Sequence, residues 1–287
     1  MAHAWAHIAD YRSDDIPAQD ELSALTQVWT EHRGRLAEKQ AYREFEEKLI
    51  REWSIETGLI ERLYTLDRKI TQLLIERGLR TNLIPNTNGL NPEALIAMIS
   101  DHKSTVESVF ASVKNERPLS TSYIKELHAL ITKNQPYVDG IDRFGRKAQS
   151  PLLRGEYKKL SNNPRRQDGS VHEYCPPEHV ASEMDRLLEL HHSHAGVAPE
   201  VEAAWLHHRF TQIHPFQDGN GRVARALATL VFIKAGWLPL VIRDRDRVEY
   251  INALEEADSG NLEPLVNLFA RLQRLKLVRA ISIADDA

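Results

Sequence analysis

The chain has 287 residues, 42% apolar and 27% charged, with 37 Lys and Arg against 41 Asp and Glu for a formal net charge of −4. That length can bury a sizeable core, and the slightly acidic balance excludes a chain built mainly around a basic nucleic-acid surface. One cysteine, Cys175, excludes an intramolecular disulfide framework and a thiolate metal cluster, and a reducing cytoplasm is the expected setting.

Met1 to Asp20 carries His, Asp and Arg where a secretory signal needs an apolar stretch. The most apolar region, Ala226 to Ile242, is interrupted by Lys234, Gly236 and Pro239 and is shorter than the roughly 20 residues of a spanning helix. It reads as a buried helix followed by a turn, so no membrane partner is expected.

In chain order the pattern is overwhelmingly helical. Glu31 to Arg51 is a charged helix, and Met1 to about Arg51 is too charged to pack fully, which makes it a candidate surface for homodimerisation. Ile55, Leu59, Leu63, Leu66, Ile70, Leu73 and Leu74 fall at helical spacing, with Gly58 marking either a meeting of two helices or one helix. Asn91-Pro92 opens the next helix as N-cap and first-turn residue, and Ser120 caps another over Leu119 to Thr132. Gly155 to Leu160 and Val171 to Cys175 are short and β-compatible around the turn-rich Asn162-Asn163-Pro164 and Asp168-Gly169, which predicts a β-hairpin with a long tip. Helices resume over Glu178 to His192, Glu200 to Phe210, Val223 to Ala235, Glu249 to Ala257 and Glu263 to Leu277.

The loop His214-Pro215-Phe216-Gln217-Asp218-Gly219-Asn220-Gly221-Arg222, with Arg225 beyond it, carries the chemistry. Gly219-Asn220-Gly221 precedes an apolar helix-forming run, so its amides converge at a helix N-terminus where the dipole favours an anion. Arg222 and Arg225, three apart, project from one face and suit a polyphosphate. Asp218 among such groups repels the phosphates unless Mg²⁺ lies between them. His214 suits a base that takes a proton from a hydroxyl. Pro215 stiffens the turn, and Phe216 anchors the nucleotide-binding loop in the core.

Taken singly, each of these features is more often structural: a surface turn, a core histidine, a solvated arginine face. Their order ahead of an apolar helix is what points to nucleotide chemistry. A metal-hydrolase reading through His207, His208 and His214, or His191, His192 and His194, lacks a His-Glu-x-x-His spacing, and adjacent histidines on a helix diverge. P-loop and protein-kinase signatures are absent.

Residues His214 to Arg225 match the signature His-Pro-Phe-x-Asp/Glu-Gly-Asn-Gly-Arg-x-x-Arg at every specified position, so the chain resembles the Fic family. Leu206-His207-His208-Arg209-Phe210, Gly155-Glu156-Tyr157 and Arg247 to Leu254 are similar to flanking family segments, and the likeness runs from about Arg117 to Arg271. It implies an all-α bundle with a small β-hairpin flap, expected near 155. The implied domains are an N-terminal helical region over 1–116, a catalytic domain over 117–277 and a tail over 278–287. The implied activity is AMP transfer from ATP to a Ser, Thr or Tyr hydroxyl of a target protein, the chain itself included, with Mg²⁺. His214 would be the base and Asp218 the Mg²⁺ ligand. Gly219, Asn220 and Gly221, including the Asn220 side chain, would hold the α-phosphate region, and Arg222 and Arg225 the outer phosphates. Asn220 and Arg222 would thereby join His214 in catalysis. Glu249-Tyr250 replaces the usual tyrosine pair, leaving Tyr250 as the candidate adenine contact.

Many relatives carry an inhibitory helix of pattern Ser/Thr-x-x-x-Glu-Gly/Asn whose Glu pairs with the second motif arginine. The nearest stretch is Glu52-Trp53-Ser54-Ile55-Glu56-Thr57-Gly58, which makes Glu56 the candidate clamp on Arg225, its alternative being an ordinary surface glutamate. Two other readings keep the same site: removal of AMP or transfer of another phosphate-bearing group, and a nucleotide-sensing interaction module. Intact His214 and Asp218 weigh against the module, since sensing needs neither base nor metal ligand.

Overall fold

Helix boundaries fall where capping residues and turns put them. The computed structural model describes residues 4–11, 20–36, 39–85, 91–141, 146–165 and 169–285. These form α1 (Asp20–Leu36), α2 (Gln40–Ile60), α3 (Arg68–Arg77), α4 (Pro92–Lys114), α5 (Thr121–Ile131), the strands β1 (Tyr137–Ile141) and β2 (Lys147–Pro151), then α6 (Val180–Ser193), α7 (Pro199–Ile213), α8 (Asn220–Lys234), α9 (Arg247–Asp258) and α10 (Glu263–Asp285). Asn91 caps α4 by accepting from the Glu93 and Ala94 amides, and Ser120 caps α5 by accepting from the Tyr123 amide, as their sequence positions predict. None of these helices is long and apolar enough to cross a membrane.

The apolar run after the motif becomes α8, which is buried along nearly its whole length because α2, α4, α5 and α7 pack around it. Tryptophans tie the N-terminal helices to this centre. Trp29 Nε1 donates to the Gly236 carbonyl (2.9 Å), and Trp53 Nε1 donates to Thr229 Oγ1 (3.1 Å). The charged N-terminal region thus packs more fully than its composition suggests, with Trp29, Tyr42, Phe45 and Leu49 buried in the same core as α7 and α8. That core runs across the expected boundary at 116, and α10 passes without a break through the one at 277.

The hairpin lies upstream of its expected place. β1 and β2 pair antiparallel from Tyr137↔Pro151 to Ile141↔Lys147. Among the described residues, 155–160 and 171–175 form no ladder beyond an Arg165↔Val171 bridge, and two of their amides serve the motif loop instead. The Lys158 amide donates to the Pro215 carbonyl (2.8 Å), and the Cys175 amide to that of Gln212 (3.4 Å).

The end of α2 positions the site. The helix passes Gly58 and stops at Ile60, so two helices meet, with the turn just after the glycine. Tyr64 folds back over that end and donates from Oη to the Ile55 carbonyl (2.9 Å). Arg247 Nε donates to the Ile60 carbonyl (2.9 Å), Glu56 Oε2 accepts from the Asp244 amide (2.8 Å), and Arg62 pairs with Asp244 (2.7 Å). Tyr64 can approach only because position 58 has no side chain: a Cβ there would lie 2.3 Å from Tyr64 Oη.

Glycine to alanine normally stabilises a helix by about 1 kcal/mol. Here overpacking outweighs that gain, and Gly58→Ala should lower stability by about 2 kcal/mol in urea unfolding. The same change in a Tyr64→Ala background should be neutral or stabilising. Burial also pushes the Glu56 carboxyl up from 4.5 to about 7. The folded state therefore retains a proton that the unfolded chain gives up, so its contribution is full below the unfolded pKa and is lost as pH rises through 7. Glu56→Gln keeps the acceptor for Asp244 and should gain on the wild type between about pH 5 and pH 8, reaching on the order of 2 kcal/mol. A pH-independent gap between the two unfolding curves would contradict the assignment.

Candidate active site

The motif loop joins α7 to α8, and its first residue ends α7 in the left-handed region, His214 at φ 51°. His214 Nδ1 lies 3.2 Å from the Thr211 carbonyl. A carbonyl only accepts, so Nδ1 carries the proton and Nε2 the lone pair. The ring stacks on Tyr174 at 3.7 Å and 11°. Burial and the Lys158 ammonium push its pKa down to about 3, so the imidazole is neutral and able to accept a proton at physiological pH. Lys158 is itself buried, donates to Asn162 Oδ1 (2.9 Å), and is lowered to about 8 by burial.

Phe216 is fully buried and stacked on His128 at 3.8 Å and 7°, which fits an anchor and not a nucleotide contact. Asn220 also departs from expectation. Its Oδ1 accepts from the Phe216 amide and its Nδ2 donates to the Phe216 carbonyl, both at 2.8 Å. The side chain is thereby committed to closing the loop, leaving its backbone amide for an anion. Gly219 caps α8 at φ 80°, and a Cβ there would press on Thr132 at 3.0 Å. The first amides of α8 lack intrahelical acceptors and form an electropositive head.

Asp218 sits at the edge of this head. Its Oδ1 accepts from the Gly219 amide (2.6 Å) and its Oδ2 from Gln135 Nε2 (2.5 Å), with Arg222 Nη2 3.6 Å away. Burial opposes ionisation, but Arg222, Gln135 and Gly219 outweigh it and hold the carboxyl below its usual range. Arg222 is 1% exposed and donates to Gln135 Oε1 (2.8 Å), while its buried Nε has no hydrogen-bond partner among the described residues.

Sequence reasoning missed two residues here. Gln135 bridges Asp218 and Arg222 with one amide. His128 donates from Nε2 to the Asp218 carbonyl (2.9 Å) and accepts at Nδ1 from the Gly155 amide (2.8 Å), with burial lowering it to about 4. Neither lies in the motif, and only proximity in the fold reveals them. The flap is wired to the same loop, since Gln217 Nε2 donates to Ser150 Oγ (2.9 Å) and Gln217 Oε1 accepts from the Leu153 amide (3.2 Å).

Arg225, 2% exposed, has its donors taken. Nε donates to Thr57 Oγ1 (2.8 Å) and Nη2 to the Thr57 carbonyl (2.9 Å), Nη2 pairs with Glu61 Oε1 (2.8 Å), and Nη1 reaches Tyr250 Oη at 3.5 Å. The carboxylate on Arg225 is therefore that of Glu61. Glu56 points to the opposite side of α2, onto the Asp244 amide. Counting four residues from Thr57 leads to Glu61, and the signal was obscured because Arg62 stands where the pattern has Gly or Asn. Arg62 does adopt the left-handed backbone, at φ 58°, that favours those residues. The Glu61 carboxylate also covers the head of α8: a Cβ on Gly221 would meet Glu61 Oε1 at 2.3 Å.

Tyr250 is 2% exposed, its Oη 2.8 Å from His207 Nε2 and beside Arg225, so it supports the arginine from beneath and presents no face to a base. The histidines of α6 and the residues after it brace the N-terminal segment: His191 and His194 share Glu202, and His194 reaches Asp10. Among the described residues no group of three or more His, Cys, Asp or Glu could hold a metal.

The chain resembles known proteins in fold and in sequence. Overall it superposes on a Fic domain containing signaling protein from Bacteroides thetaiotaomicron with a TM-score of 0.74 and 25% identity, covering 92% of this chain and 97% of that one. Fic-1 (residues 134–508) from Caenorhabditis elegans shares the fold, with a TM-score of 0.69 and 22% identity over 92% of this chain and 72% of that one. In sequence the chain is 42% identical over 69 residues to the protein adenylyltransferase Fic of Nematostella vectensis, covering 24% of this chain and 16% of that protein. It is 32% identical over 107 residues to the protein adenylyltransferase fic-1 of Caenorhabditis briggsae, covering 37% of this chain and 21% of that protein. The aligned stretches thus span less than a quarter of these relatives. The family model described as Fic/DOC family matches residues 118–232, from the approach to α5 through the motif and most of α8, and over that stretch the chain is similar to the Fic/DOC family.

Proposed function

We propose that the chain is a protein adenylyltransferase that moves AMP from ATP to a Ser, Thr or Tyr hydroxyl of a target protein, and that Glu61 restrains it in cis. The observation that carries this reading is the pairing of a neutral His214, bare at Nε2, with an anion-binding helix head flanked by two buried guanidiniums. The similar curated proteins are named protein adenylyltransferases, which supports AMP as the transferred group.

The target oxygen attacks the α-phosphorus, the bond to the β-phosphate oxygen breaks, pyrophosphate leaves, and the hydroxyl proton passes to His214 Nε2. The α8 amides and Arg222 hold the phosphates, with the unpartnered Arg222 Nε free to donate to a phosphate oxygen. Asp218 is the residue that would hold Mg²⁺. Its carboxyl stays ionised, and a single protein carboxylate leaves most of an octahedral shell to phosphate oxygens and water. Bound there, Mg²⁺ would neutralise phosphate charge. The β1–β2 flap offers an extended target segment an edge for strand addition, within reach of the base through its links to Gln217. Glu61 opposes all this by placing a negative charge where an outer phosphate would meet Arg225 and the head of α8.

Incubation with α-labelled and γ-labelled ATP in parallel tests the reading. Label should enter protein from the α position alone. Glu61→Gly should raise that rate by about tenfold or more, a barrier change of roughly 1.4 kcal/mol, whereas Glu56→Gln should leave it within about twofold. Retention of γ label, or equal rates for wild type and Glu61→Gly, would overturn the reading.

A further inference from the structure

Behind α2, on the side away from Arg225, lies a cavity of about 380 Å³ between α2, α3 and residues 243–245. We propose that it binds a small zwitterion of the α-amino acid class with an apolar side chain. Most charges around it are already matched. Glu52 accepts from Arg243 Nε (2.6 Å) and Lys276 Nζ (2.5 Å), and Asp244 pairs with Arg62. What remains is one acid within and two guanidiniums nearer the surface.

The acid is Glu56, 8% exposed, with Oε2 on the Asp244 amide and no hydrogen-bond partner for Oε1 among the described residues. Burial holds this carboxyl protonated up to about pH 7, and an ammonium group beside it would favour its ionised form. The guanidiniums are those of Arg68, which is exposed and makes no hydrogen bond or ion pair among the described residues, and Arg245, which reaches only Asp246, at 3.8 Å. Such forks recognise a carboxylate. Leu59, Leu66 and Ile75 form apolar wall in the same cavity, which suits an aliphatic side chain. A purely anionic ligand would leave Glu56 unanswered, and a purely cationic one would leave both arginines so. The volume is near the lower end for small-ligand sites, as an amino acid requires. The site uses the face of α2 opposite Thr57, and it stands independently of the AMP-transfer reading.

Thermal unfolding of the full chain with each of the twenty protein amino acids in turn, at ~10 mM, provides the screen. At least one with an aliphatic side chain should raise Tm by roughly 3 °C, and no shift from any of them overturns the proposal. Calorimetry on the tightest should then give a Kd at least tenfold weaker for Glu56→Gln and for Arg68→Ala, the latter a surface change that leaves folding intact. An unchanged Kd in either variant overturns it. The deaminated and decarboxylated analogues of the same amino acid should both fail to bind, and equal binding by either half alone would show a single-charge site instead.

Discussion

The site is organised by the need to satisfy two guanidiniums inside the protein. Arg222 and Arg225 are each at most 2% exposed and leave α8 one turn apart, so both must find hydrogen-bond acceptors or carry the cost of burial. Arg222 finds them forward, on Gln135 and near Asp218, and keeps one N–H unanswered. Arg225 finds them in α2 and the turn beyond it: Thr57 through hydroxyl and carbonyl, and Glu61 through its carboxylate. The same need that buries Arg225 in this structure thus draws an acidic residue to the head of α8, the place that the proposed function gives an outer phosphate.

Around this pair the rest of the loop is fixed by groups that do not react. Asn220 closes the turn onto Phe216, Phe216 lies flat on His128, and His128 links the Asp218 carbonyl to Gly155. In the proposed function His214 and Asp218 need their spacing held, and these contacts hold it without exposing further titratable groups. Burial keeps His214 and His128 neutral, so neither adds positive charge beside the arginines.

Much of this was legible in the sequence because it is local. The motif carries base, acid, glycines and arginines in contiguous order, the caps Asn91 and Ser120 act within three residues, and the apolar run after Arg222 can only be a buried helix. What could not be read depends on long-range packing. Gln135 and His128 reach the loop from 83 and 90 residues away, and the Lys158 and Cys175 amides donate to the chain around the loop instead of to a partner strand. The acidic partner of Arg225 was misplaced for a subtler reason: Glu56 and Glu61 lie on the same stretch of α2 and its turn but face opposite sides, and Arg62 masks the pattern by taking a backbone conformation that glycine or asparagine more commonly adopts.

In the proposed function, Glu61 and an outer phosphate of ATP compete for Arg225. Calorimetric titration of a non-hydrolysable ATP analogue with Mg²⁺ into wild type, Glu61→Gln, Arg225→Ala and the double variant measures this directly. Glu61→Gln should tighten binding by about tenfold or more when Arg225 is present and change it little when Arg225 is gone. The same tightening in both backgrounds, or none in either, would contradict the competition.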